Sequence, residues 1–351
     1  MNICFVNFNK NWGGVKTWTL DYGRELAKKG HNITTIVRPD TPFADECLKA
    51  GFDVHAFRPG MKYNPVSIIK TVSILKKNKV DITIVNISKD INIGAVASKI
   101  ASIPVIRRVG LPQDIKLRRE EHFLAKFYNS IIVPSNNLKN EIKDLPQLVD
   151  KKIFVIPNSK KPELFKDKVH KGNEITIGVT SQLSVTKGHK YLIDAVKALH
   201  DRKYKIKLKI SGIGGHEAEL KALVEEQKIE ENVEFCGFTR DIPAFLSKLD
   251  IFVLPSLTEN FPNTLVEAMF ANLPCLAFNT GGVPEVLGDT GALIQPKDTE
   301  KLTLELEKLI KNPELRENMG KDSKERALKE FNLSVNSSKI EEIFSEVISN
   351  S

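Results

Sequence analysis

The chain has 351 residues, 41% of them hydrophobic and 27% charged, a composition that excludes a disordered protein and is long enough for two α/β domains. No run of about eighteen apolar residues occurs and the first residues already read as a strand, so neither a membrane-spanning helix nor a cleavable leader is expected. The net charge of +8 is unevenly shared, +14 through Lys171 and −6 beyond it. A basic N-terminal half suits an anionic acceptor, an acidic membrane surface or nucleic acid, set against the plainer reading of solvated lysines. The four cysteines, Cys4, Cys47, Cys236 and Cys275, are scattered without CxxC or nearby histidine spacing, so neither a disulfide nor a zinc site is expected.

In chain order, Met1 to Val6 reads as a strand, followed by a loop holding Gly13 and Gly14, a helix to about Lys29 and a strand over Ile33 to Val37. This opens like a dinucleotide-binding unit but lacks GxGxxG. Adjacent glycines let backbone approach a ligand closely, and they equally make a tight turn. The alternation continues with strands at Val54 to Phe57, Ile82 to Val85 and Val105 to Val109, and helices at Pro65 to Asn78 and Asn92 to Ala101. It predicts a doubly wound parallel sheet.

The densest basic cluster is Arg107, Arg108, Lys116, Arg118 and Arg119, partly on a predicted helix over Lys116 to Tyr128. Such a cluster suits a platform for an acceptor carrying phosphate or carboxylate at a bilayer surface. It equally suits an amphipathic surface helix with Glu120 and Glu121 pairing locally. A strand at Ser130 to Pro134 leads into a capped helix, Lys152 to Pro157 is apolar, and lysine-rich Lys160 to Asn173 reads as a linker.

A second alternating run starts at Ile175 to Val179, with a loop over Thr180 to Gly188 and a helix at Tyr191 to Asp201. Strands follow at Lys207 to Ser211 and Val233 to Phe238. The most informative stretch is Ile251 to Glu285. It comprises a short apolar strand to Leu254, a polar loop with Glu259, a helix from Pro262 to Ala271 containing Glu267, a strand at Pro274 to Phe278, and a turn at Gly281 and Gly282. Proline suits a first helical turn, so the N–H groups of Asn263, Thr264, Leu265 and Val266 are expected to be free there and to attract phosphate. Two carboxylates bracketing such an anion site can accept hydrogen bonds from sugar hydroxyls. Helices at Thr299 to Lys311, Pro313 to Lys329 and Ser334 to Ser349 complete the chain.

The two glutamates, with Phe261, Pro262, Leu265, Ala268 and the Gly281 to Glu285 turn, resemble the E-x7-E region of the retaining glycosyltransferases of family 4. The resemblance implies the GT-B fold, two Rossmann-like doubly wound parallel-sheet domains facing across a cleft. It places an acceptor domain at 1–165 plus the helix 334–351, and a nucleotide-sugar domain at 166–333. It implies a hexosyltransferase-type enzyme moving a sugar from a UDP- or GDP-sugar to a glycan or lipid-linked acceptor in bacterial polysaccharide or lipopolysaccharide synthesis.

The same resemblance assigns roles. Glu259 and Lys187 are the catalytic pair. Gly13, Gly14, Phe238, Thr239, Glu267 and the helix start at Asn263 to Val266 bind the donor. The basic cluster itself, rather than the resemblance, assigns the acceptor to Arg107, Arg108, Arg118 and Arg119. No metal or cofactor beyond the sugar nucleotide is expected, nor a nucleic-acid partner. The expected place is the cytoplasm, in peripheral contact with an anionic inner membrane face. Two departures stand out. Family members carry a histidine after the strand ending at Val109 and an arginine where Gln182 stands, and this chain has neither. A sugar-nucleotide epimerase on the same architecture and a non-catalytic polyanion-binding module are the competing readings. Neither accounts for paired glutamates around an anion site.

Overall fold

The computed structural model describes residues 1–115, 119–166 and 174–351. These form two compact units, Met1–Ser159 with Leu333–Ser351, and Lys160–Asn332.

In the first unit, strands β1 (Asn2–Asn7), β2 (Asn32–Val37), β3 (Asp53–Ala56), β4 (Ile82–Val85), β5 (Val105–Arg108), β6 (Ser130–Val133) and β7 (Lys152–Val155) form a parallel sheet in the order β3-β2-β1-β4-β5-β6-β7. The period of two along β1 sends Cys4 and Val6 to one apolar cluster and Ile3 and Phe5 to the other, so both faces are covered and the strand reads as one apolar run. The helix Leu333–Ser349 adds Leu333, Ile340, Phe344 and Val347 to the cluster around Ile3 and Phe5. Burial of those side chains ties the chain's last segment to its first strand.

The second unit repeats the plan with β8 (Ile175–Thr180), β9 (Ile206–Ser211), β10 (Val233–Gly237), β11 (Ile251–Leu254), β12 (Cys275–Phe278) and β13 (Ala292–Ile294), all parallel, in the order β10-β9-β8-β11-β12-β13. Ile251 and Val253 face one core and Phe252 and Leu254 the other. Strand order reverses between β8 and β11, and open parallel sheets leave a crevice at the carboxyl ends of such a pair. The loops leaving these two strands carry Lys187 and Glu259.

Several local expectations change. A helix at Pro42–Lys49 was not anticipated, although the Thr41 hydroxyl accepts a 3.4 Å bond from the Ala44 N–H and Pro42 occupies the first turn, both start signals. Of the helix expected over Lys116 to Tyr128, Arg119–Leu124 is α-helical and Ala125–Phe127 is a 3-10 turn, while 116–118 lie outside the described residues. Lys160 to Phe165 do not behave as a linker. The Lys160 N–H donates to the Phe331 carbonyl at 3.0 Å, Pro162–Leu164 forms a 3-10 turn, and Phe165 stacks on Phe270 at 5.6 Å. These residues pack in the second unit, and the chain leaves the first unit at Ser159.

Candidate functional site

The loop after β8 and the loop after β11 are stitched together by backbone. The Leu257 N–H donates to the Thr186 carbonyl at 2.8 Å. Gly188 has φ +65, and a Cβ there would lie 1.9 Å from the Pro255 carbonyl oxygen, so only glycine permits this approach. Lys187 precedes that glycine, and its Nζ lies 2.6 Å from Glu259 Oε2. A third loop, after β12, supports Glu259 from below. The Gly282 N–H donates to the Glu259 carbonyl at 3.1 Å, and Gly281 has φ +51.

Glu267 stands one turn into the helix Asn263–Phe270, and its Oε1 lies 2.6 Å from Lys160 Nζ. Glu259 and Glu267 are therefore built alike. Each is mostly shielded from solvent, and each has one carboxylate oxygen held by a lysine. In each the other oxygen has no partner among the described residues. A carboxylate fixed in this way keeps its acceptor lone pairs for a ligand hydroxyl.

The start of the Asn263–Phe270 helix differs from expectation. Pro262 is the N-cap rather than the first helical residue. Its carbonyl accepts the N–H groups of Leu265 and Val266 at 3.1 and 3.2 Å, and the Asn263 N–H donates to the Phe261 carbonyl at 3.0 Å. That leaves the Thr264 N–H as the one of the four without a backbone partner among the described residues. The side chains of Leu265 and Val266 are fully buried with Phe261 and Phe331 in the apolar cluster, which anchors the helix but removes these two from direct ligand contact.

His189 begins the helix after Gly188. It is buried, its Nε2 lies 3.0 Å from the Ser181 hydroxyl, and its Nδ1 has no partner among the described residues. Burial, with the nearby charges of His216 and Lys187, depresses its pKa to about 4, so the ring is neutral at pH 7. Phe238 follows β10 with 65% of its surface exposed, so it is no core residue but an apolar ring at the strand's carboxyl end. The neighbouring Thr239 hydroxyl accepts the Asp241 N–H at 3.2 Å.

The first unit corrects the acceptor expectation. Arg107 is fully buried, pairs with Glu121 at 2.8 Å, donates to the Asp114 carbonyl, and lies over the Tyr128 ring. Arg108 is also buried, donates to Asn158 Oδ1 at 2.9 Å and stacks over Trp18, and burial lowers its pKa to about 10. Neither is a surface platform, because the strand Val105–Arg108 is covered on both sides. Arg118 lies outside the described residues, as does the side chain of Arg119. Gly13 and Gly14 precede and open the helix Gly14–Lys28 with open space where a Cβ would stand and no positive φ, so nothing within this unit demands glycine at either position.

Lys160 is the site residue that sequence reading missed. It sits in a lysine-rich stretch that resembles a linker, and nothing local marks its partner.

Residues 12–159 match the model described as Glycosyltransferase Family 4, and residues 160–326 the model described as Glycosyl transferases group 1. Over 162 residues the chain is 35% identical to an uncharacterized glycosyltransferase of Haemophilus influenzae, covering 45% of this chain and 45% of that one, so it spans less than half of that relative's length. It is 26% identical over 100% of its length to the Escherichia coli UDP-Gal:alpha-D-GlcNAc-diphosphoundecaprenol alpha-1,3-galactosyltransferase, covering 98% of that protein. The structure of Anabaena HepE in complex with UDP superposes with a TM-score of 0.84 at 21% identity, covering 99% of this chain and 100% of that one. At that identity the likeness speaks to the fold.

Proposed function

This chain belongs to the family 4 glycosyltransferases, and we propose that it transfers a sugar, with retention at the anomeric carbon, from a nucleoside-diphosphate sugar to a glycan or lipid-linked acceptor. Its two doubly wound units are the Rossmann-like domains of the GT-B fold. The observation that carries the donor reading is the matched pair of glutamates, each with one oxygen on a lysine and one left for a ligand.

In this reading Glu267 accepts the ribose hydroxyls and Glu259 orients the transferred sugar. The Thr264 N–H and the Lys187 ammonium face the diphosphate, and Phe238 with Thr239 flanks the base. The bond from the anomeric carbon to the β-phosphate oxygen breaks as the acceptor oxygen bonds to the same face of that carbon. The acceptor proton passes to the departing phosphate, so no side-chain base is required. Fixed donors aimed at the leaving diphosphate supply the main catalytic term, and the reading uses no metal ion. The name of the full-length Escherichia coli relative, a UDP-Gal enzyme with a lipid diphosphate acceptor, favours a UDP-sugar over a GDP-sugar and a role in surface polysaccharide synthesis.

Thermal shift of the purified protein with UDP, GDP and their common sugar conjugates tests the reading. A ligand at a hundredfold excess over its Kd stabilises by about 2.7 kcal/mol, so one nucleotide series should raise the Tm selectively. Glu267→Ala should abolish that shift. No shift with any nucleotide, or a full shift in the Glu267→Ala protein, rejects it.

A further inference from the structure

Between Asp53 and Asp81 the sequence holds six lysines and arginines and no acidic residue. The middle of this stretch folds as the helix Pro65–Lys77, whose inner face buries Ser67, Thr71, Ile74 and Leu75. Helical spacing places Val66, Ile69, Lys70, Ser73 and Lys77 together on the opposite face, and all are exposed. Val66 is 72% and Ile69 69% exposed, and Met61, in the loop before the helix, is 85% exposed. Scattered exposed apolar residues need no explanation, but Val66 and Ile69 share one helix face with Lys70 and Lys77, and exposed Met61 stands four residues before that helix, a concentration of apolar surface that water does not favour.

The charges around the patch decide what covers it. Lys70 and Lys77 stand on the same helix face as the apolar side chains. The acidic groups at the margin, Asp40 and Glu120, are already paired with Arg58 and Lys62. The face is therefore cationic with apolar side chains set among the charges. Aliphatic residues that enter the headgroup boundary, with lysines that meet anionic headgroups, are the chemistry of an interfacial helix. A nucleic acid or acidic peptide would use the lysines and leave Met61, Val66 and Ile69 without a role.

We propose that the Met61 to Lys77 face docks on an anionic lipid bilayer. The inference rests on the reading of a lipid-linked acceptor and deepens it, since a docked enzyme meets such an acceptor in two dimensions. It also moves the membrane contact away from Arg107 and Arg108, which are buried.

The test is co-sedimentation of the full-length protein with vesicles of mixed phosphatidylglycerol and phosphatidylcholine, and with phosphatidylcholine alone. Binding should require the anionic lipid and fall with salt. Replacing Met61, Val66 and Ile69 together by Ser, and separately Lys70 and Lys77 by Gln, should each weaken partitioning about tenfold or more. The UDP-induced Tm shift is recorded on the same samples and should be unchanged in both variants. No vesicle binding, or binding that survives the serine substitutions, overturns the proposal. The latter result, joined to equally tight binding of a soluble polyanion, assigns the face to polyanions instead. Loss of the UDP shift in the wild-type protein would reject the donor reading while leaving the vesicle result to be judged alone.

Discussion

The carbonyl oxygen of Glu259 occupies the space that any side chain on Gly281 would need, since a Cβ there would lie 1.7 Å away. Backbone of one loop thus rests on backbone of the other, and the position of the Glu259 carboxylate depends on a residue that bears no functional group. Gly281→Ala has to move the Glu259 loop and also carries a side chain at a positive φ, a strain that by itself costs about 1–3 kcal/mol. Urea unfolding should show that loss, and calorimetry should show a weaker UDP-sugar complex. A variant with wild-type affinity would mean that Glu259 does not need this support.

Lys160 should behave as a positioning residue. Its ammonium holds one oxygen of Glu267, and its backbone is bonded to Phe331. Lys160→Met should raise the donor Kd about tenfold, or ~1.4 kcal/mol, close to the low end of what a hydrogen bond to a charged group contributes. Lys160→Arg should recover most of it. In a double-mutant cycle with Glu267→Gln the two losses should not add, because both remove the same contact. Additive losses would place Lys160 on a different part of the ligand.

Arg107 separates a structural cation from an acceptor-binding one. Removing it leaves the mostly buried Glu121 carboxylate without its partner, an effect worth about 3–5 kcal/mol in comparable buried pairs. Arg107→Ala should therefore lower stability strongly in chemical denaturation. If the protein stays as stable as wild type and only the KM for acceptor rises, the buried-pair assignment is wrong.

His189 sets a pH dependence. Its folded pKa, about 4, lies below the ordinary histidine value of 6.5, so in this window the unfolded chain binds the additional proton. Its stabilising contribution is complete above pH 6.5 and is lost as the pH falls toward 4, by up to about 3 kcal/mol. Asp90, buried in the first unit, has the opposite sign. Its pKa is raised to about 7, so its contribution is complete below 3.8 and lost as pH rises through 7. Unfolding measured from pH 4 to 7 should show a gentler acid loss for His189→Gln than for wild type. Identical pH profiles would contradict a buried neutral ring.

Much of the fold was legible locally. Short apolar runs between breakers located the buried parallel strands, and the glutamates at Glu259 and Glu267 followed from one strand-loop-helix-strand segment. The free helix start was over-read, because the 3-10-type bond from Leu265 and the α-type bond from Val266, both back to the Pro262 carbonyl, depend on where the first turn begins. Phe238 was assigned to the donor by resemblance, since an aromatic ending a strand by itself suits a core and a ligand surface equally.

Sequence alone determined most of the alternating strands and helices, the doubly wound class and the pair of carboxylates, because each is written in periodicity or spacing within a few residues. Tertiary structure decided which charges are paired. Lys160 reads as a linker lysine and Arg107 as a surface cation until the fold brings Glu267 to the first and closes Glu121 and Tyr128 around the second. Whether a charge is solvated or buried depends on residues distant in the chain, and local pattern holds no record of them.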